Sequence, residues 1–297
     1  MAEAPPQSAS KRAPAAPKKP GLRPDLATLG GIAVALAGIL GGLLMEKGSI
    51  QDVAQVTTAM IVIGGTLGAV LVTTPLPVFL RACKGLSNAF MERGSSASAT
   101  IDSLILFATK ARKNGIVSLE MEASEITDPF LRKALNLAVD GTDLQELRKM
   151  MELDINLGEQ AGEAESKVWE AAGGYAPTIG IIGAVMGLIQ VMKNLEDIKA
   201  VGHGIAVAFV ATVYGVASAN IFFLPVANKL KGRTRTAALL KELILEGVVG
   251  IVEGLNPMLI RMKLEPYNQD APRPANAKAA KAAVKVGPAG QPAPGES

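Results

Sequence analysis

The groups of this sequence best suited to chemistry are the hydroxyls of Thr178, Thr212 and Tyr214, which lie in two uncharged, glycine-rich segments. These segments, 174–190 and 204–227, contain none of the carboxylates that normally relay protons inside a membrane. A tyrosine hydroxyl has a pKa of about 10 and a threonine hydroxyl a far higher one, so neither titrates near neutral pH. Alone, the chain should conduct protons poorly, and a partner must supply the ionisable group.

The spacing around Thr212 leaves two interpretations open. Thr212 follows Gly204 and Ala208 at intervals of four residues, which places its hydroxyl on a helix face of small side chains. There it could line a polar seam that holds water or an ion. It could also simply donate a hydrogen bond to the carbonyl four residues earlier, as threonines in membrane helices often do.

Prolines and glycines of the apolar segments bear on how the helices pack and bend. Pro177 and Pro225 lie near the two segment ends on the more basic side of the chain. Inside a helix, each proline would free a backbone carbonyl and allow a kink or hinge. Two glycine pairs have the four-residue spacing that lets membrane helices approach closely: Gly64 with Gly68, and Gly183 with Gly187.

Four uncharged windows are long enough to cross roughly 30 Å of hydrocarbon. The first is too long for a typical cleavable signal peptide and lacks a clear cleavage site, so we expect a membrane span there. Buried helices of a soluble protein are the alternative interpretation. The windows are Leu26–Leu44, Val56–Thr74, Ala176–Met192 and Gly204–Ala227.

The distribution of positive charge predicts the topology better than the net charge of +3 does. Lysines and arginines cluster before the first window, after the second and after the fourth, which places both termini and the long central segment in the cytoplasm. We therefore expect a multi-pass protein of the bacterial inner membrane. A nucleic-acid-binding arm is the weaker explanation of the basic N-terminus, because its cations are spread among Ala and Pro beside a membrane span.

Several kinds of chemistry lack the residues they need. Cys83 is the only cysteine and His203 the only histidine, which excludes an intramolecular disulfide and a His/Cys metal cluster. His203 is expected at the outer membrane interface, where contact with a proton path is a less favoured role. The sequence has no phosphate-binding G-x-x-x-x-G-K-[ST] loop. We expect a protein that is not an enzyme and has no cofactor.

The predicted fold is all-α, with four transmembrane helices, a large helical cytoplasmic region between spans two and three, and a cytoplasmic C-terminal helix. Both ends of the chain have too few bulky apolar residues to bury a core, so disorder is expected there. The predicted divisions are 1–24 (disordered arm), 25–79 (spans one and two), 80–173 (cytoplasmic helical region), 174–227 (spans three and four), 228–264 (amphipathic helix) and 265–297 (disordered tail).

Local signals divide the cytoplasmic region into helices. Asn114-Gly115 should interrupt a helix, Asp128-Pro129 should begin one, and Asp140-Gly141 should end it. Thr142 with Gln145 forms a possible capping box for the next helix. That helix contains no proline until Pro177, so it should run almost without interruption into span three, with the glycines at 158, 162 and 173–174 as weak points.

These segments closely resemble the MotA family, the larger subunit of bacterial flagellar stators, which is related to TolQ and ExbB. The resemblance covers about residues 26–263 and implies a pentameric ring of such chains around a dimer of a single-span, peptidoglycan-binding MotB-like partner. The partner's membrane Asp would take up and release the ion while the ring turns. The motifs are GGYAPTIGIIG at 173–183, GHGIAVAFVATVYG at 202–215, FLPVANKL at 223–230, IGGTLGA at 63–69 and DGT at 140–142.

The resemblance also assigns roles to individual residues. Pro177 and Pro225 match the two functional prolines of the family, and Thr212 matches the channel threonine of span four. Arg112 and Glu120 match the charged residues that push on the FliG-like rotor switch protein. Without the resemblance, both would be read as solvated surface residues.

The resemblance bears on the coupling ion through one position. Sodium-type relatives carry a second threonine in span three, seven residues after the proline, where this sequence has Ala184. The loss of an oxygen ligand disfavours a coordinated Na⁺ and suits protons that pass along water. We therefore expect H⁺ coupling along a path that includes Thr178, Ala184, Thr212 and Tyr214.

Three other functions are compatible with some of these features. A TolQ/ExbB-like energiser is the closest alternative, but four spans and the charged pair Arg112/Glu120 favour a stator. A secondary transporter would need an inverted repeat, which the two halves lack. A passive membrane scaffold would explain the packing glycines but not the Thr212 face.

Overall fold

The computed structural model describes residues 22–93 and 97–268 and is almost entirely helical there. Two short strands, β1 (Leu22–Pro24) and β2 (Met91–Arg93), pair in an antiparallel manner. The helices are α1 (Leu26–Met45), α2 (Ile50–Val53), α3 (Val56–Thr73), α4 (Leu76–Phe90), α5 (Ala97–Asn114), α6 (Glu120–Glu125), α7 (Pro129–Val139), α8 (Leu144–Lys193), α9 (Ile198–Val252) and α10 (Pro257–Leu264).

The expected disorder at the chain ends needs correction at its inner boundaries. Most of both predicted segments lies outside the described residues. However, residues 22–24 form β1, because their backbone pairs with β2, and Glu265–Tyr267 continues α10 as a short 3₁₀ turn.

Four helices are long and apolar enough to span a membrane, and they contain the four predicted windows except for Thr74, which lies just beyond the second helix. They are α1, α3, α8 and α9. At about 1.5 Å per residue, the 50 residues of α8 extend about 75 Å, more than twice the hydrocarbon thickness. The uninterrupted helix predicted from the cytoplasmic region into span three is therefore confirmed.

The segment after span four differs from its prediction as a separate helix over 228–264. The helix of span four continues without a break to Val252. It ends near Gly254, whose φ of 69° is a conformation that favours glycine. The side chain of Asn256 then caps α10 by accepting a hydrogen bond from the backbone N–H of Met258 (3.1 Å).

The start of α8 corrects the predicted capping box. Asp143, rather than Thr142, is the N-cap: its carboxylate accepts hydrogen bonds from the backbone N–H groups of Gln145 (2.9 Å) and Glu146 (3.3 Å). An Asp one residue later can satisfy the same free N–H groups, and its charge also suits the helix N-terminus. The predicted Asp128 cap of α7 is confirmed.

Helices α8 and α9 pack with their backbones almost in contact. A Cβ atom added at Gly187 would lie 2.8 Å from the carbonyl oxygen of Gly204, and one at Gly215 would lie 2.6 Å from that of Ala176. In the predicted pair, Gly187 thus meets the backbone of α9, and Gly183 meets the side chain of Ala211. These glycines hold spans three and four together.

Other glycines behave differently from their predictions. Gly64 and Gly68 have open space beside them, and the close contact of α3 is instead made by Gly65, against Ile179 of α8. The glycines predicted as weak points do not interrupt α8. Gly162 and Gly173 instead allow close packing, because a Cβ atom at either position would collide with side chains of α9.

The part of the chain predicted to be cytoplasmic has its own apolar core, which we call the cytoplasmic core. It forms where α5, α7 and α10 pack around the N-terminal part of α8 and the C-terminal part of α9. Its fully buried side chains include Leu104, Leu135, Leu147, Met151, Leu243, Val248 and Ile260. This core fixes the short segments that connect α5 to α7.

Candidate functional site

Thr212 lies on an open face of α9. Thr212 is an exposed residue, and its hydroxyl donates a hydrogen bond to the carbonyl oxygen of Ala208 at 3.2 Å. The two interpretations of the sequence therefore coexist: the proton bonds to the helix, while the oxygen keeps room to accept a hydrogen bond from water. The other exposed residues on this stripe are Ile205, Phe209, Val216 and Asn220.

The remaining candidates for the ion path do not all share this face. Thr178 is exposed on α8, and its hydroxyl donates to the carbonyl oxygen of Tyr175 at 2.8 Å. Ala184 is partly buried on the same helix. The hydroxyl of Tyr214 is already engaged: it donates to the carbonyl oxygen of Val53 at 2.6 Å and accepts from the N–H of Gln55 at 3.2 Å. Tyr214 thus ties α9 to the start of α3.

Both predicted hinge prolines lie inside continuous helices. Pro177 lies within α8, opposite Gly215 of α9, where an added Cβ atom would approach the Cα atom of Pro177 to 3.2 Å. Pro225 follows a π-helical turn, Ser218–Phe223, which widens α9 just before the proline. Such turns are uncommon and often mark functional positions.

An aromatic cluster lies beside these prolines. The ring of Trp169 stacks on that of Phe223 with centroids 6.2 Å apart and meets Phe222 edge-on at 6.1 Å. The indole N–H donates to the carbonyl oxygen of Ala82 in α4. Any bending of α9 at its π-helical turn would have to move rings that also contact α8 and α4.

A charge cluster around the buried Asp25 fastens the start of α1 to α9. Asp25 caps α1 by accepting hydrogen bonds from the backbone N–H groups of Ala27 and Thr28 (both 3.1 Å). Its carboxylate also forms ion pairs with Lys229 and with Arg233, the latter at 3.0 Å. The hydrogen bond from Lys229 holds the pKa of the Asp25 carboxyl well below its usual range.

The rest of α1 makes little contact with the chain, since none of its residues is buried. The Asp25 cluster therefore provides much of its attachment. Asp25 was not predicted as a functional residue from the sequence. An Asp directly before an apolar window signals a helix cap, but nothing in the local sequence identifies partners so far along the chain.

Arg112 and Glu120 lie at an exposed tip of the region between spans two and three. Both side chains are exposed, and α5 ends between them at Gly115, whose φ of 82° allows the turn. The predicted break at Asn114-Gly115 is confirmed. An ion pair between Lys110 and Glu122 joins α5 to α6 across this turn, and the hydrogen bond from Lys110 lowers the pKa of Glu122.

The part of the chain that the structure describes contains neither a candidate metal site nor a buried histidine. In residues 22–93 and 97–268, no three His, Cys, Asp or Glu side chains come together in a way that could hold a metal ion. His203 is exposed in the second turn of α9, close to the Lys193–Ile198 connection.

Comparison with known proteins identifies the family. Residues 122–242 match the MotA/TolQ/ExbB proton channel family, and residues 29–115 match the motility protein A N-terminal family. Motility protein A of Helicobacter pylori is 34% identical over 243 residues, which are 82% of this chain and 95% of that protein. The chain belongs to the MotA family.

Further relatives cover nearly the whole described chain. Chemotaxis protein PomA of Vibrio alginolyticus is 34% identical over 249 residues, or 84% of this chain and 97% of that protein. Among solved structures, C. jejuni MotAB matches with a TM-score of 0.80 and 32% identity, covering 84% of this chain and 99% of that one. The flagellar MotAB stator complex of Bacillus subtilis matches with a TM-score of 0.77 and 31% identity, covering 87% and 100%.

The chain is therefore a MotA-like subunit of a flagellar stator, and its ion-channel role follows from the family. With four apolar spanning helices, it is a multi-pass protein of the bacterial inner membrane. The family and fold class predicted from the sequence are confirmed. The all-α prediction did not include the short antiparallel pair of strands β1 and β2.

Proposed function

We propose that this MotA-like chain forms a ring of five copies around two copies of a MotB-like partner, which has one membrane span and a peptidoglycan-binding domain. The partner's membrane carboxylate carries the ion past the Thr212 face, and the ring turns around the partner. One observation carries the proposal: the four predicted windows contain no charged side chain, yet α9 presents the exposed side chain of Thr212 between the apolar residues Phe209 and Val216.

Protons are the coupling ion in this proposal, and Na⁺ is the less favoured alternative. The Thr212 hydroxyl donates to its own helix, so on this face of α9 each copy offers one hydroxyl oxygen to a passing water. Ala184 adds no further oxygen ligand. A bare Na⁺ needs several oxygen ligands at once, whereas a proton can pass along hydrogen-bonded water.

Pro177 and Pro225 act as the hinge that converts ion binding into movement. Pro177 lies where α8 meets the backbone of Gly215 in α9, and Pro225 follows Phe222 and Phe223 of the aromatic cluster around Trp169. Below this level both helices continue into the cytoplasmic core. A change of angle here would therefore be transmitted to the tip that carries Arg112 and Glu120.

Those two side chains deliver the force by contact with a FliG-like rotor switch protein. Both are exposed, and among the described residues neither has an ion pair that a rotor charge would have to displace. The work is mechanical: the chain performs no covalent chemistry, uses no cofactor and binds no nucleic acid.

The proposed topology places both termini in the cytoplasm. Asp25 precedes span one and Lys229 follows span four, and their ion pair requires both to lie on one side of the membrane. The same side carries the cytoplasmic core and most of the cations, in agreement with the positive-inside bias.

Replacement of Thr212 tests the pathway. Thr212→Val keeps the shape but removes the hydroxyl, and we expect motor torque and proton influx to fall about tenfold, while Thr212→Ser retains most of both. Influx is measured with a pH-sensitive fluorescent protein in cells that express the chain with its partner. Normal torque and influx in the Val variant, with normal amounts of assembled complex, would contradict the proposed path.

A further inference from the structure

The tip of the cytoplasmic region carries exposed apolar side chains beside its charges. Val117 is 64% exposed and Met121 is 77% exposed, although they belong to the short segments that connect α5 to α7. With Glu120 between them along the chain, they form what we call the tip surface: Val117, Glu120 and Met121. Helical spacing of three and four residues puts all three on one side of the segment.

The opposite side of the same segment supplies the side chains that pack into the core of the chain. Leu119 and Ala123 are fully buried in the cytoplasmic core. The ion pair between Lys110 and Glu122 fixes the segment to α5. Val117 and Met121 therefore contribute little to the packing of their own chain, and a polar side chain at either position would fold equally well.

The charged residues around the tip surface indicate which kind of partner could cover it. Arg112 and Lys113 lie at its one end, where α5 stops, and Glu120 and Glu125 lie on the other side of the Gly115 turn. A complementary partner carries an apolar patch with acidic side chains at one edge and a basic side chain at the other. Protein interfaces commonly have this organisation, with an apolar centre and a charged rim.

We propose that Val117 and Met121 form an apolar contact that is buried against the rotor switch protein each time Arg112 and Glu120 engage it. This inference rests on the proposed function, because the tip surface is continuous with the proposed charged contact. The charges steer the approach of the rotor switch protein and set its position, while burial of the apolar pair strengthens the contact that transmits force. Exposed charge pairs alone hold weakly and are screened by salt.

Methionine suits a contact that must form and release repeatedly. Its unbranched, polarisable side chain adapts to surfaces that do not fit perfectly. At the tip it can meet successive copies of the rotor protein as they pass. Val117, which is stiff at its first torsion angle, provides a fixed point beside it.

Polar variants of similar size test the contact in intact motors. Met121→Gln and Val117→Thr remove apolar character with little change in shape. We expect the stator complex to bind the purified rotor switch protein about tenfold more weakly when both changes are combined. Torque at high load should fall severalfold, whereas co-purification with the single-span partner and the melting temperature should match the parent chain. Met121→Leu should keep most of the torque.

Met262→Gln is the matched control, because Met262 on α10 is 62% exposed and lies outside the tip surface. It should leave torque and rotor binding unchanged. Wild-type torque in the double variant, together with loss of torque in Arg112→Glu or Glu120→Lys, would overturn the apolar contact and leave the proposed function standing. If the charge variants also keep full torque, the rotor contact itself is wrong. An equal loss in Met262→Gln would show that the effect is not specific to the tip and would likewise overturn the inference.

Discussion

The side chains of Asp25 and Arg233 meet at 3.0 Å although 208 positions separate them in the chain. Asp25 stands directly before the first span, and Arg233 lies in α9 just beyond the fourth. The same guanidinium donates to the backbone carbonyl of Met91, which belongs to the strand paired with β1. One arginine thus joins three separate parts of the chain at one end of the spans.

Substitution of Asp25 by Asn should loosen α1. The change leaves Lys229 and Arg233 without their shared carboxylate, so two cations remain close together with reduced compensation. We expect a lower melting temperature of the purified complex and faster proteolysis near the start of α1. Arg235→Gln, which removes an exposed cation of the same helix with no ion pair in the described part of the chain, serves as the control. Unchanged proteolysis in Asp25→Asn would mean that other contacts hold α1.

The same carboxylate predicts how the attachment depends on pH. Its folded-state pKa is depressed by Lys229, so its contribution to stability is present above the unfolded pKa of about 3.9 and is lost as the pH falls through the folded value. Between pH 5 and 8 the group stays ionised, and the attachment should not vary. Melting curves of the parent and Asp25→Asn, recorded across this range, should therefore differ by a constant amount.

A methyl group between α8 and α9 should be far more damaging than one beside them. At Gly204 an added Cβ atom would lie 2.9 Å from the carbonyl oxygen of Gly187, whereas at Gly202 nothing lies within 4 Å. Gly204→Ala should cost about 1–3 kcal/mol by overpacking. Gly202→Ala should be neutral or slightly stabilising, since Ala favours helix. Thermal unfolding in detergent compares the two, and equal melting temperatures would contradict the close approach.

The sequence predicted most reliably those features that local physics determines. Uncharged windows of sufficient length gave the four spans, and the Asp128 cap was found because the Asp and the N–H groups it caps are neighbours in the chain. The Thr142 cap was wrong because Thr142 and Asp143 are both good caps, and composition alone does not decide between adjacent candidates.

Features that depend on packing were harder to predict. The spacing of Gly64 and Gly68 is the same as that of Gly183 and Gly187, yet only the second pair meets another helix of the chain. The continuity of α9 to Val252 was missed because the change from apolar to amphipathic sequence suggests a boundary, whereas the backbone continues. The family resemblance, rather than spacing, supplied the roles of Thr212, Arg112 and Glu120, and these roles stay predictions.

Glu246 should make the cytoplasmic core sensitive to acid. Burial alone would raise its pKa, but hydrogen bonds from Lys263 and Arg148 outweigh burial and lower it. The stabilisation is therefore present above the unfolded pKa of about 4.3 and is lost as the pH falls through the folded value.

Glu246→Gln should lower stability by about 1 kcal/mol at neutral pH, because two cations lose a charged acceptor. The difference from the parent should shrink towards pH 3. Glu170→Gln, at an exposed position of α8, should change neither quantity. A pH-independent difference for Glu246→Gln would mean that its charge is not what stabilises the core.

The choice of ion gives a prediction about living cells. Because each copy offers the single oxygen of Thr212 and an apolar Ala184, we expect swimming speed to stay the same when NaCl is replaced by KCl at constant pH. Collapse of the proton gradient by an uncoupler should stop the motor in both media. Ala184→Thr adds one hydroxyl and serves as the informative variant: speed that becomes dependent on Na⁺ would show that this position controls ion choice. Sodium-dependent swimming of the parent strain would rule out proton coupling, whatever the variant does.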